Sequence, residues 1–291
     1  YKQLGNKFFD REFDFSRGTR ATFVGRNGLI QESGLTSAEL VTNGNFSQEG
    51  SELVTNGDFS NGGTGWLKSG EADRSLGKII STSGSLSSLT QVILTLGKRY
   101  KLQFEITDNT NGSIKVGSQN GGLDIDASVN SLGIHTYIFT SLGTYISFAR
   151  EGGITDITIN NVSVKEVGQD WDFVSGATVG DDKAIISGDG SVAGLIEQTS
   201  VFSSGKTYKI TLDAVINSGG GLNVKHGIAY ADNIGSMITT GSYTFYYTAS
   251  STKSLVIARK TGGIAYDSSV TNISVIEIQT DVPRIDFTDD T

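Results

Sequence analysis

One unit of this chain occurs twice, and that repeat constrains the fold more than any other feature. Gly97-Lys98-Arg99-Tyr100-Lys101-Leu102 returns as Gly205-Lys206-Thr207-Tyr208-Lys209-Ile210, 108 residues on. Gly133-Ile134-His135-Thr136-Tyr137-Ile138-Phe139-Thr140 returns as Gly241-Ser242-Tyr243-Thr244-Phe245-Tyr246-Tyr247-Thr248, again 108 residues on. Ala149-Arg150 matches Ala258-Arg259, each followed by a Gly-Gly-Ile loop, and Asn161-Val162-Ser163-Val164 matches Asn272-Ile273-Ser274-Val275 at a spacing of 111. Trp66 and Trp171 open the two units. Order is kept while spacing drifts by a few residues, which is the mark of loop insertions between matched strands.

Each unit reads as strands. Tyr100, Leu102, Phe104 and Ile106 alternate with Lys101, Gln103 and Glu105, and Tyr208, Ile210, Leu212 and Ala214 alternate with Lys209, Thr211 and Asp213. Such alternation gives one face to a core and one to water. Ile157 and Ile159 are odd-numbered but Val162 and Val164 even-numbered. A β-bulge at Asn160-Asn161 restores the inward face. No sustained 3.6-residue stripe occurs, so an all-β chain is expected, with two tandem jelly-roll sandwiches.

Composition supports this reading. Proline occurs once and glycine 38 times in 291 residues, as strands that keep their N–H groups and turn tightly require. Cysteine is absent, which excludes disulfide frameworks, thiolate zinc sites and cysteine nucleophiles. A net charge of −8 disfavours nucleic acid as a partner. The densest apolar stretch, Val92-Ile93-Leu94 with Leu96, is far short of the ~20 residues that span a bilayer, so no membrane insertion is expected. The chain starts at Tyr1 without a signal-like segment and reads as a mature product or an excised piece.

The organisation expected is a flanking hairpin segment over 1–38, a first module over 39–167, a second over 168–279, and a returning edge strand over 280–291. Asn27-Gly28 is the hairpin-turn signal of the first flank, and Pro283 suits the edge strand. Glu39-Leu40-Val41-Thr42-Asn43-Gly44-Asn45-Phe46-Ser47 returns as Glu52-Leu53-Val54-Thr55-Asn56-Gly57-Asp58-Phe59-Ser60 with one difference in nine. A slippage duplication, leaving a spare strand or linker, is the preferred reading; the stub of a third module is the other.

Leu53 to Ser60 with Gly65-Trp66 resembles the opening strand of galactose-binding-like carbohydrate-binding modules, and Ile157 to Val167 resembles their closing strand. The flanks, Phe13 to Val24 with Asn27 to Gln31 and Val282 to Phe287, resemble segments of tailed-bacteriophage structural proteins. The resemblance implies a virion fibre or appendage subunit on the particle surface, a homotrimer that contacts other virion proteins and host-surface polysaccharide. Closing strands of these modules often carry an aspartate associated with structural calcium, where this chain has Asn160-Asn161 and Thr271-Asn272. No cofactor is expected, structural calcium being the one option that the resemblance leaves.

A sugar-binding surface needs exposed aromatic faces flanked by hydrogen-bonding groups. Trp66 and Trp171 are candidates at the mouths of the units; alternatively each closes its own core. Tyr246 stands where the first unit has Ile138, which places a tyrosine off the core. Arg150 and Arg259 sit at strand ends before Gly-Gly loops, where a guanidinium can fork onto sugar hydroxyls or a carboxylated sugar, or can lie as an ion pair along the sandwich edge. His135 and His226 fall in different units and read as solvent-facing or strand-edge histidines. Asp124 and Asp126 share a strand face, and Asp108-Asn109-Thr110-Asn111-Gly112 reads as a turn. No Gly-x-Ser-x-Gly, His-Glu-x-x-His or phosphate loop is present, and no enzymatic activity is expected. Two further readings remain: a non-binding spacer or capsid-decoration protein, and the binding modules of a secreted polysaccharide-degrading enzyme.

Overall fold

A computed structural model describes Thr22–Val24, Ile30–Glu32, residues 37–228 and residues 232–278. The returning strand expected over 280–291 and most of the 1–38 flank lie outside the described residues. Two pieces of that flank, β1 (Thr22–Val24) and β2 (Ile30–Glu32), pair antiparallel with Val24 opposite Ile30, on either side of Asn27-Gly28. All regular structure among the described residues is strand.

The first sandwich contains β3 (Leu67–Ser69), β4 (Lys78–Ser81), β5 (Ser88–Val92), β6 (Arg99–Asn111), β7 (Ile114–Gly117), β8 (Asp126–Val129), β9 (Gly133–Thr140), β10 (Tyr145–Arg150) and β11 (Thr155–Glu166). They form two sheets, ordered β3-β5-β10-β7-β8 and β4-β11-β6-β9. The second contains β12 (Asp172–Val174), β13 (Ala177–Gly180), β14 (Lys183–Gly188), β15 (Leu195–Phe202), β16 (Thr207–Ser218), β17 (Leu222–His226), β18 (Asp232–Met237), β19 (Gly241–Thr248), β20 (Lys253–Arg259) and β21 (Tyr266–Ile278). Its sheets run β12-β15-β20-β17-β18 and β13-β14-β21-β16-β19. The two strand orders are the same except that β13 is added at an edge. The repeat in sequence is therefore a repeat of topology, with the chain crossing between sheets in the jelly-roll manner.

The alternation predicted for β6 and β16 holds. Tyr100, Leu102, Phe104 and Ile106 are buried, as are Tyr208, Ile210, Leu212 and Ala214. Phe104 meets Phe148 of the facing sheet edge-on, with centroids 4.9 Å apart. Each such ring contributes about 1.5–3 kcal/mol through burial. The bulge also holds. The β6–β11 register breaks between Asn160 and Ser163, and Asn161 takes φ 51°. Asn272 takes φ 52° at the matching break in β21. Asparagine tolerates this left-handed conformation better than most side chains. Asp108 and Asn109 depart from expectation: β6 continues through them to Asn111, because they still pair with Thr158 and Ile157 of β11.

The duplicated nonapeptide is neither a linker nor a stub. Each copy is a strap that closes one sandwich by the same bonds. In Glu52–Ser60, the Glu52 carboxylate accepts the Val164 N–H at 2.9 Å and the Ser163 hydroxyl at 2.5 Å. In Glu39–Ser47, Glu39 accepts the Val275 N–H at 2.7 Å and the Ser274 hydroxyl at 2.5 Å. Buried Gln91 brackets the backbone of Thr55, accepting its N–H at 3.1 Å and donating to its carbonyl at 2.7 Å. Gln198 does the same for Thr42, at 2.9 Å each way. At the bulges, Val162 N–H donates to Gly57 C=O and Ile273 N–H to Gly44 C=O, both at 2.9 Å. Glycine is required there because a Cβ on either residue would lie 2.0 Å from the carbonyl oxygen of Val162 or Ile273.

The first strap thus bonds to the second sandwich and the second strap to the first. The described chain correspondingly divides into two compact units. One holds Asn45–Trp171 and Ala177–Ile185; the other holds the residues up to Gly44, Asp172–Gly176 and those from Ile186 onward. Residues 39–44 make their bonds with the second sandwich, whereas the sequence reading assigned them to a first module spanning 39–167.

Replacement of Gln91 by alanine leaves the Thr55 N–H and C=O without their partners. We expect Gln91→Ala to cost about 1–3 kcal/mol, and Gly57→Ala to cost a similar amount through the clash at Val162. Urea denaturation followed by circular dichroism measures both.

Candidate functional site

The outer face of the β21-β16-β19 sheet carries the polar residues that alternate with the core. Cross-strand pairs place Lys209 beside Tyr246, Thr211 beside Thr244 and Asp213 beside Ser242. Ser274 of β21 lies opposite Thr211. Tyr246 is 46% exposed and is the one aromatic ring among the exposed large hydrophobic side chains of the described residues. Strand parity causes this. Tyr243, Phe245 and Tyr247 occupy the inward positions of β19, so the intervening tyrosine faces water.

Asp213 organises the far end of this strip. Its carboxylate accepts hydrogen bonds from the Ser242 hydroxyl and from Asn272 Nδ2, the latter at 2.8 Å. These bonds, the Ser242 one first, hold its pKa below the ordinary aspartate value. Asn272 is the bulge residue, so the irregularity that restores core parity also supplies a donor to the outer face. The first sandwich repeats the device, with Asn161 donating to Glu105 at 2.9 Å. Its aromatic position is Ile138, opposite Lys101. Glu49 there bridges Lys101 and Lys165 at 2.9 Å each.

Trp66 and Trp171 are not sugar platforms. They are 1% and 5% exposed, and a ring must be open to water to receive a sugar. Trp66 packs against Phe59 of its strap at 5.1 Å and donates its indole N–H to the Asn56 carbonyl at 3.0 Å. Trp171 packs against Phe46 at 5.3 Å. Both act as core closures, the alternative that their sequence positions left open.

Arg150 and Arg259 bind backbone. Arg150 Nη1 donates to Gly153 C=O at 3.1 Å. Arg259 Nη1 donates to Gly190 C=O at 2.6 Å, and its guanidinium carbon lies 5.4 Å from the Tyr266 ring centroid. Each ties down a loop at the end of its sandwich, and neither belongs to the Tyr246 strip.

Of the histidines, His135 stacks on Phe104 at 5.2 Å. His226, read from sequence as solvent-facing or edge, is fully buried. Burial is possible because both ring nitrogens have partners: Nε2 meets Ser251 C=O at 2.8 Å and Nδ1 meets the Tyr247 hydroxyl at 3.1 Å. Tyr247 also donates to Asp232 at 2.9 Å. Asp124 and Asp126 serve separate local bonds, to Ser118 and to the Tyr137 hydroxyl, rather than a shared acid pair. Among the described residues, no group of three or more His, Asp or Glu is placed to hold a metal ion.

Lys209, Thr211, Asp213 and Thr244 were visible in the sequence only as the polar half of an alternation, and Asn272 only as the match of Asn161. Their meeting on one surface depends on the β16–β19 and β16–β21 registers.

Because the folded-state pKa of Asp213 is lowered, its bonds stabilise the fold fully above the usual aspartate range near pH ~3.9. That contribution is lost as pH falls through the lowered value. Asp213→Asn is expected to flatten the part of the acid-denaturation profile below that range, read by urea midpoints at stepped pH. Trp66→Ala is expected to destabilise by about 3–5 kcal/mol, measured in the same way.

No protein-family model and no curated protein matches the sequence. Among solved structures, the CBM22-1–CBM22-2 tandem domain of Paenibacillus barcinonensis Xyn10C is 10% identical, covering 78% of this chain and 98% of that one with a TM-score of 0.27. A fucolectin from striped bass serum is 10% identical over 70% of this chain and 86% of its own, with a TM-score of 0.25. Allantoicase from Saccharomyces cerevisiae is 12% identical over 68% and 79%, with a TM-score of 0.28.

Proposed function

We propose that this chain is a non-enzymatic adhesive subunit that binds polysaccharide on the outer face of the second sandwich. The single observation that carries the reading is Tyr246, an exposed ring set in a strip of paired Lys209, Thr211, Thr244, Asp213 and Ser242. A tyrosine ring offers a face to pyranose C–H groups, and its neighbours offer hydroxyl, ammonium and carboxylate partners for sugar hydroxyls. From Ser242 to Tyr246 the strip extends about 14 Å, which suits an extended chain better than a single ring.

The setting we propose is a bacteriophage head or tail fibre or appendage, with the modules presented on the virion surface beside other virion proteins. The flank resemblance supports this setting. A homotrimer would present the Tyr246 strip three times, and linked sites gain avidity of about 10²–10⁴ without new contacts. The Lys101–Glu49–Lys165 network on the matching face favours a spacer role for the first sandwich.

The test is retention of the purified chain on an array of bacterial polysaccharides, with its mass measured by light scattering. Tyr246→Ala should weaken retention by about 2–12-fold, the loss of one ring contact of about 0.5–1.5 kcal/mol, in a variant whose circular dichroism matches the parent. Retention unchanged in Tyr246→Ala and in Lys209→Ala would move the binding site elsewhere, and absence of retention by the unaltered chain would favour the spacer or decoration reading for both modules.

A further inference from the structure

The seat of the first strap has the properties of a peptide-binding site. Its occupant, Glu39–Ser47, is separated from Asp172, the first strand residue of the second sandwich, by the whole of the first sandwich in sequence. It is held by groups that read particular side chains and backbone. The bulge N–H of Ile273 takes the Gly44 carbonyl, the Val275 N–H and Ser274 hydroxyl take the Glu39 carboxylate, Gln198 brackets Thr42, and Val41 is buried. Gly44 is enforced by the Ile273 carbonyl.

The second strap satisfies every one of these requirements. The straps differ only at Asn45 and Asp58, and there both side chains make the same turn bond, accepting from Ser47 and Ser60 respectively. The contacts of the nonapeptide itself therefore do not discriminate between strap copies, and what assigns each strap to its sandwich lies outside it, in the covalent connections and in the Ser37–Glu277 bond that the second copy, with Gly50, lacks. A segment so attached and so recognised is free to seat in another molecule, where it makes identical bonds.

We propose that this seat is a receptor for the Glu-Leu-Val-Thr-Asn-Gly-x-Phe-Ser segment, and that its partner in trans is a second copy of this chain, joined by exchange of first straps. The tethered strap wins at low concentration because attachment keeps it near its seat, whereas a strap on another chain arrives only by diffusion. Exchange takes over when chains fold together at high concentration.

The test uses the full chain carrying Gly44→Val, whose own strap cannot seat. A fluorescein-labelled peptide of sequence 39–47 is titrated against this variant and the unaltered chain, with anisotropy as the readout. Saturable binding to the variant, at least about tenfold tighter than to the unaltered chain, is expected, with none for the same peptide bearing Gly44→Val. No binding to a variant whose circular dichroism matches the parent overturns the proposal. If the variant does not fold, a chain cleavable between Gln48 and Glu49 replaces it. The labelled peptide must then displace the cut strap, and retention of the original strap overturns the proposal. Two differently labelled preparations of the unaltered chain, co-refolded at about 1 mM, should yield mixed oligomers whose energy transfer is lost when both preparations carry Gly44→Val. Monomer alone under those conditions overturns the choice of partner.

Discussion

The docking of a strap against a bulge is the interaction on which each sandwich depends. The bulge is needed because the closing strand must switch parity to keep Ile157, Ile159, Val162 and Val164 all buried. The switch frees the Val162 N–H from the ladder, and the Gly57 carbonyl receives it. An unpaired buried N–H costs about 1–3 kcal/mol, and a seated strap removes that cost from the bulge. Glu52 extends the same logic one residue pair further along, and Phe59 carries it into the core by packing on Trp66. The second sandwich repeats every step with Gly44, Glu39 and Phe46.

The bulge also shapes the outer face. Asn161 and Asn272 occupy the left-handed positions and project away from the core, where each donates to an acid of the neighbouring strand. Core closure and surface chemistry therefore share one irregularity. On this common frame the faces have diverged. One holds lysines neutralised by Glu49, and the other an open strip with Tyr246. A buried tryptophan in both modules and an exposed tyrosine in one follow from the same fold with different demands at its surface.

Much of this was legible in the sequence because strand physics is periodic. Alternation over Tyr100–Ile106 and Tyr208–Ala214 identified the core faces, and broken parity at Asn160-Asn161 located the bulge. The outward direction of Tyr246 followed from its standing where the first unit has Ile138. Trp66 and Trp171 were ambiguous because a tryptophan at a module's opening serves a ligand or a core equally well until its neighbours are known. His226 was misread because burial of an imidazole depends on partners 21 and 25 residues away, Tyr247 and Ser251. The nonapeptide duplication was seen, but its purpose lay in Gln91 and Gln198, which no local pattern connects to it.

The amino-acid order by itself determined two β units of matched strands, the inward and outward sides of each, and the point at which the closing strand must bulge. These are local consequences of side-chain alternation, and a one-residue error would turn a hydrophobic face to water. Only the tertiary structure decided which strap closes which sandwich, that both tryptophans are sealed beneath them, and that Lys209, Thr244, Asp213 and Asn272 meet around one exposed ring. Those outcomes depend on contacts between residues far apart in the chain, whose partners are chosen by packing and register rather than by neighbours in sequence.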